Sequence, residues 1–155
     1  MPLLKTVDET FFDRAPQRFS HTWEIKQPAG SVWAELVGDQ PLRWCRGLNI
    51  RWTSPAPFGV GTTRTAQVLG LVKVQEQYFI WEEGHRKTFH GTAMNIPLFS
   101  ALAEDYVVEP RGETACALTW RIAIEPSAMG KPGAPLNAII FASAFRDTGR
   151  HFSAA

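Results

Sequence analysis

The stretch RFSHTWEIKQPAGSVWAELVG, Arg18 to Gly38, changes its period halfway and puts the rest of the chain in order. From Arg18 to Lys26 apolar and polar residues alternate, with Phe19, His21, Trp23 and Ile25 on one face and Ser20, Thr22, Glu24 and Lys26 on the other. That pattern is a half-buried strand carrying a histidine on its apolar side. Pro28 then suits the first turn of a helix, where its missing N–H is not needed, and Val32, Trp33, Leu36 and Val37 recur at helical spacing until Gly38 ends it. A second short helix is predicted over Pro41–Arg46, burying Leu42 and Cys45 before Gly47.

Six further runs follow, each strand-like in residue type and bounded by Gly- or Pro-containing turns: 48–53, 62–69, 72–82, 86–94, 102–109 and 114–125. With the first strand they make seven, joined mostly by short connections and therefore antiparallel. Pro135 opens a final helix predicted to run to about His151. In its first half Leu136, Ile139, Ile140, Phe141, Ala142 and Ala144 are apolar nearly all round, while Arg146, Asp147 and Arg150 mark a solvated side of the second half. Such a helix must be gripped by something wide, and only the sheet is wide enough. The expected fold class is therefore α+β, a seven-stranded curved antiparallel sheet wrapped around a long C-terminal helix, with two short helices after the first strand. Residues 1–16 lack periodicity and read as an arm with a helical turn near Glu9–Asp13, lying over a sheet edge; residues 17–155 form the single domain.

A chain of 155 residues can bury roughly two-thirds of its unfolded surface, so no staple or metal is required for stability. Net charge is +1 and the signs are mixed, with no basic run longer than Arg86-Lys87, which argues against nucleic acid as a partner. No apolar run is long enough to span a bilayer. The opening MPLLKTVD does not read as a secretory signal, and Cys45 and Cys116 follow no disulfide pattern, so a reducing, cytoplasmic compartment is expected. Six Trp, ten Phe and two Tyr form an aromatic load that can line a cavity as readily as fill a core.

Several local features resemble the START-like or SRPBCC superfamily, in its polyketide cyclase/dehydrase-like branch. The strand ending at Ile25 and running into Gln27-Pro28-Ala29-Gly30-Ser31-Val32-Trp33 resembles the family's entry into its first helix, and Leu42-Arg43-Trp44 its second. Gly59-Val60-Gly61 resembles the turn before the third strand. Glu76 with Trp81-Glu82-Glu83-Gly84-His85-Arg86 resembles the fourth strand and its hairpin, and 108–114 with Thr119-Trp120 the last hairpin. The resemblance implies a helix-grip fold with a cavity between sheet and C-terminal helix, in which relatives bind lipids, sterols, polyketides or aromatic compounds. It carries no catalytic motif onto numbered positions, so candidate sites come from residue chemistry.

His21, on an apolar strand face, reads either as a proton donor and acceptor toward a ligand or as a bonded core histidine. His90 shares a face with Thr88, Thr92 and Met94, opposite Phe89, Gly91 and Ala93; it is taken as the inward residue because glycine offers nothing to line a cavity. Glu76 shares a face with Val74, Tyr78 and Ile80 and reads as a wall carboxylate of raised pKa or as an outward charge. Arg64, beside Ala66 and Val68, is a partner for such a carboxylate. Glu104 and Asp105 are adjacent, so they face opposite ways and form no dyad. Trp23, Tyr78, Tyr106, Trp120, Phe141 and Phe145 are the expected ligand-contacting aromatics. The histidines and cysteines match no metal-ligand spacing, and Gly59-Val60-Gly61-Thr62-Thr63 lacks the lysine and third glycine of nucleotide-binding loops, so neither metal nor cofactor is expected.

Three functions fit. The leading one is binding of a small hydrophobic or aromatic molecule; a second is a cofactor-independent cyclase or dehydratase using His21, Glu76 or His90 as acid and base; a third is a homodimeric interaction module with a filled cavity. Two or more ionisable groups converging in an open cavity would favour the enzyme, an entirely apolar and hydroxylic lining would favour binding, and a filled core would favour the module.

Overall fold

A computed structural model of the chain describes residues 1–155. Seven strands, β1 (Gln17–Ile25), β2 (Leu48–Trp52), β3 (Thr63–Val68), β4 (Val72–Glu82), β5 (Arg86–Met94), β6 (Phe99–Pro110) and β7 (Cys116–Pro126), form one antiparallel sheet in the order β1-β7-β6-β5-β4-β3-β2. All pairs but one join consecutive strands; β1 reaches across to close against β7, which makes β1 and β2 the edges. Helix α1 (Phe11–Arg14) precedes the sheet, α2 (Ala29–Leu36) follows β1, and α3 (Ala134–His151) ends the chain after a 3-10 turn at Lys131–Gly133. No helix is long and apolar enough to cross a membrane.

The strands' period of two separates two cores. Trp23, Phe89, Leu102, Tyr106, Trp120 and Ile122 point inward to the main core under α2 and α3. Outward, the small residues Ala101, Ala103 and Ala123 of β6 and β7 pack with Phe11 and Phe12 of α1 in a second buried cluster. Two irregularities in β4 and β5 break the alternation. A shift between Tyr78 and Ile80 inserts Phe79, so Ile80 pairs with Thr88 and turns away from Tyr78; the shared face expected for the two is lost.

The N-terminal arm covers no edge. The β5–β6 ladder ends at His90 and Ala103, and the arm enters the gap beyond: Leu4 N–H donates to Thr92 O at 3.0 Å, Met94 N–H to Pro2 O at 3.0 Å, and Lys5 N–H to Ser100 O at 2.8 Å. Backbone groups that the diverging strands would leave unpaired are thereby satisfied.

Residues 41–46 bury Leu42 and Cys45 as expected, but as a hydrogen-bonded turn with Leu42 at φ 57°, which a regular helix does not accept. Helix α3 matches its predicted span, whereas its halves exchange roles. Leu136 and Ile139 of the first half are 58% and 67% exposed, because this half overhangs an opening instead of filling a core. The second half is the one gripped. Asp147, expected in solvent, is buried because its carboxylate accepts the Arg46 backbone N–H at 3.0 Å and the Arg46 guanidinium at 3.2 Å. Gly149 lies so close to Trp23 that a Cβ would sit 3.1 Å from its indole nitrogen and 2.7 Å from Ala154 O.

Candidate functional site

Between the sheet and α3 lies a cavity of about 260 Å³, small for a ligand pocket. Ile50, Ala66, Val74 and Leu102 supply its apolar walls, and Leu69, Ile139 and Ile140 stand at its lining where β3 and α3 reach the surface. Its buried charged residues come from the curved sheet, Arg64 on β3, Glu76 on β4, and Glu104 on β6 beside Tyr106 of the same strand and Trp120 of β7, while Arg46 and Ser143 add polar groups outside the sheet.

Arg64 and Glu76 are direct cross-strand partners, and Arg64 Nε–H donates to Glu76 Oε2. The guanidinium also rests on Phe89, its central carbon 4.6 Å from the ring centroid, so face and edge are both used. Nη1 is nevertheless buried without any hydrogen-bond partner. Burial pushes the Glu76 carboxyl up, and the Arg64 charge pulls against it. The guanidinium keeps its proton, so its charge sits in a place where an unmatched charge is very costly and Glu76 is the group positioned to match it.

Glu104 accepts Tyr106 Oη–H at 3.0 Å and Trp120 Nε1–H at 2.7 Å, both on Oε1, and Oε2 takes no hydrogen bond from the protein. Burial, reinforced by the Glu76 charge, raises its pKa to about 7, against the pull of Arg64 and the two donors. A carboxyl so placed exchanges a proton near neutral pH, the property required of a general acid or base. Behind this end, Lys87 is 1% exposed, donates to Tyr78 Oη at 3.0 Å and lies 4.6 Å from the Tyr106 ring centroid. Burial, then the Arg64 charge, holds its ammonium well below the usual lysine range. No three His, Cys, Asp or Glu side chains cluster as metal ligands would.

Of the residues singled out in the sequence, Glu76, Tyr106, Trp120 and Phe141 line this cavity. Tyr78 is buried behind it against Lys87. His21, Trp23 and Phe145 line a separate open groove on the far side of α3, where His21 Nε2 lies 3.1 Å from Ala155 O. His21 and Glu76 therefore do not share a site: β7, β6 and β5 stand between their strands. His90 must also be corrected. It faces outward against Phe79, and Phe89 is the inward residue. Glycine at 91 does have an inward use, since Leu4 of the arm occupies the space its side chain would need: a Cβ there would lie 3.0 Å from Leu4 Cδ2.

Glu104 was missed. Its separation from Asp105 is as expected, for Asp105 faces outward and binds Arg86, Thr88 and Arg121. Its true neighbour in charge is Glu76, two strands away. The available signal was the inward row Leu102, Glu104, Tyr106, Val108, a carboxylate in an otherwise apolar and aromatic series.

The family described as polyketide cyclase/dehydrase and lipid transport matches residues 6–152. Uncharacterized proteins of Mycobacterium bovis and Mycobacterium tuberculosis are 32% identical over 130 residues, covering 81% of this chain and 76% of theirs. Among solved structures, a ginseng major latex-like protein from Panax ginseng superposes with a TM-score of 0.61 at 20% identity, covering 88% of this chain and 97% of that one. A Bacillus thuringiensis protein does so with a TM-score of 0.66 at 15% identity, covering 88% and 98%. At these identities the two structures establish the shared helix-grip fold.

Proposed function

This chain belongs to the polyketide cyclase/dehydrase and lipid transport family, and from that premise we propose that it takes up a small, mainly apolar molecule in the cavity between its sheet and α3. The observation that carries the reading is the cavity itself, whose lining is mainly apolar, with Arg64, Glu76 and Glu104 buried at one end and Arg46 and Ser143 elsewhere in it. Such a division orients an occupant: the body is desolvated by the walls while one polar end is met by hydrogen-bonding groups. Native mass spectrometry of freshly purified protein tests it. A co-purifying small molecule is expected for the wild type and is expected to be lost in Ala66→Trp, which fills the cavity; an empty wild type that also binds no apolar probe would refute the reading.

The convergence of Glu76, Glu104 and Arg64 favours an enzymatic extension. In it, Glu104 moves a proton to or from the bound molecule while Arg64 meets charge that develops on oxygen, as a cyclisation or dehydration requires. Deuterium incorporation into the co-purified molecule in D2O, catalysed by wild type and not by Glu104→Gln, is the expected result. Equal incorporation in the two proteins would remove Glu104 from the chemistry.

A further inference from the structure

The charges at the inner end of the cavity restrict what the polar end of the occupant can be. Arg64 is already matched by Glu76, yet its Nη1–H has no acceptor. Glu104 has spent Oε1 on Tyr106 and Trp120, and Oε2 remains unbonded. A permanent anion placed here would find no unmatched cation among the buried lining groups, because the Arg64 charge is already met by Glu76, and it would lie beside Glu104. A permanent cation would have Glu104 as a partner but would lie beside the Arg64 guanidinium, at a site where desolvation penalises every charge. A neutral hydroxyl avoids both penalties, since it offers an acceptor to the guanidinium and a donor to the carboxylate.

We propose that the cavity selects an uncharged molecule made of an apolar ring system bearing a hydroxyl, which donates to Glu104 Oε2 and accepts from Arg64, and that it rejects the carboxylate of the same shape. The proposal rests on the cavity being the site of uptake, and it adds the chemical class of the head group. Tyr106 and Trp120 have a positioning role: their two donors fix the Glu104 carboxylate so that the free oxygen is presented to the occupant.

Three probes of nearly equal shape decide it near neutral pH: 2-naphthol, 2-naphthoate and 2-methylnaphthalene, each competing with the neutral fluorophore 1-aminoanthracene. The wild type is expected to bind 2-naphthol about tenfold or more tighter than either of the other two. Glu104→Gln is expected to remove most of the advantage over 2-methylnaphthalene while leaving 2-methylnaphthalene itself unaffected. Tyr106→Phe, which frees the carboxylate on one side, is expected to reduce the same advantage in part. If 2-naphthoate binds as tightly as 2-naphthol, or the preference survives Glu104→Gln unchanged, the head-group assignment is wrong although uptake stands. If none of the probes binds, uptake fails and takes this proposal with it. Should Glu104→Gln not fold, the wild-type ranking of naphthol over naphthoate and the Tyr106→Phe result still decide.

Discussion

Trp120 on β7 donates its indole N–H to Glu104 on β6 at 2.7 Å, although the two are not cross-strand partners: Trp120 pairs with Tyr106 and Glu104 with Ile122. The diagonal is short enough for a long aromatic to span it, so one carboxylate oxygen collects donors from both its own strand and the next. This contact holds the carboxylate in place at the buried end of the cavity, where burial and the Glu76 charge, against the pull of Arg64 and the two donors, bring its pKa to about 7.

The raised pKa of Glu104 predicts a sign for stability against pH. A carboxyl moved from an ordinary 4.5 up to about 7 binds its proton more tightly in the folded chain, so its stabilising contribution is present below about pH 4.5 and is lost as pH rises through about 7. Glu104→Gln, which keeps the acceptor for Trp120 and Tyr106, should flatten this fall by an amount on the order of 3 kcal/mol between the two limits. Urea denaturation at pH 5 and pH 8, wild type against variant, measures the difference; parallel slopes would mean that Glu104 titrates normally.

Breaking the Arg64–Glu76 pair should be worse than deleting it. Arg64→Met leaves Glu76 buried and unmatched, with an expected loss of about 3–5 kcal/mol, and Arg64→Met/Glu76→Leu should recover most of it. A double-mutant cycle by chemical denaturation reports the coupling.

Two phenylalanines should separate a packed wall from an open one. Phe89 is fully buried beneath Arg64, so Phe89→Ala is expected to cost about 3–5 kcal/mol. Phe141 is half-exposed at the cavity, touching Phe19 at 5.2 Å between centroids, so Phe141→Ala should cost roughly 1–2 kcal/mol. Equal losses in denaturation would show that α3 packs against Phe141 more closely than described.

The arm should behave as part of the sheet. Deleting residues 1–5 removes the acceptor of the Met94 N–H and the side chain over Gly91, so Met94 should exchange its amide hydrogen markedly faster while β1 and β7 are unchanged. Hydrogen exchange read by NMR checks both, and an unaltered Met94 would assign the arm no role in closing the gap.

The sequence alone determined the order of the strands, the antiparallel sheet and the terminal helix, because period and turn chemistry are local: the alternation from Phe19 to Ile25 and the helical spacing after Pro28 require no distant partner. It also determined that Glu104 and Asp105 face opposite ways, which follows from strand geometry. Which side of β5 faces inward was decided only by the tertiary structure, since the register shifts in β4 and β5 and the entry of Leu4 against Gly91 arise from residues far apart in the chain. The same holds for the site. His21 and Glu76 share a residue chemistry but lie on strands separated by three others, while Arg64, Glu76 and Glu104 converge because sheet order and curvature bring β3, β4 and β6 to one cavity, a relation that no local pattern encodes.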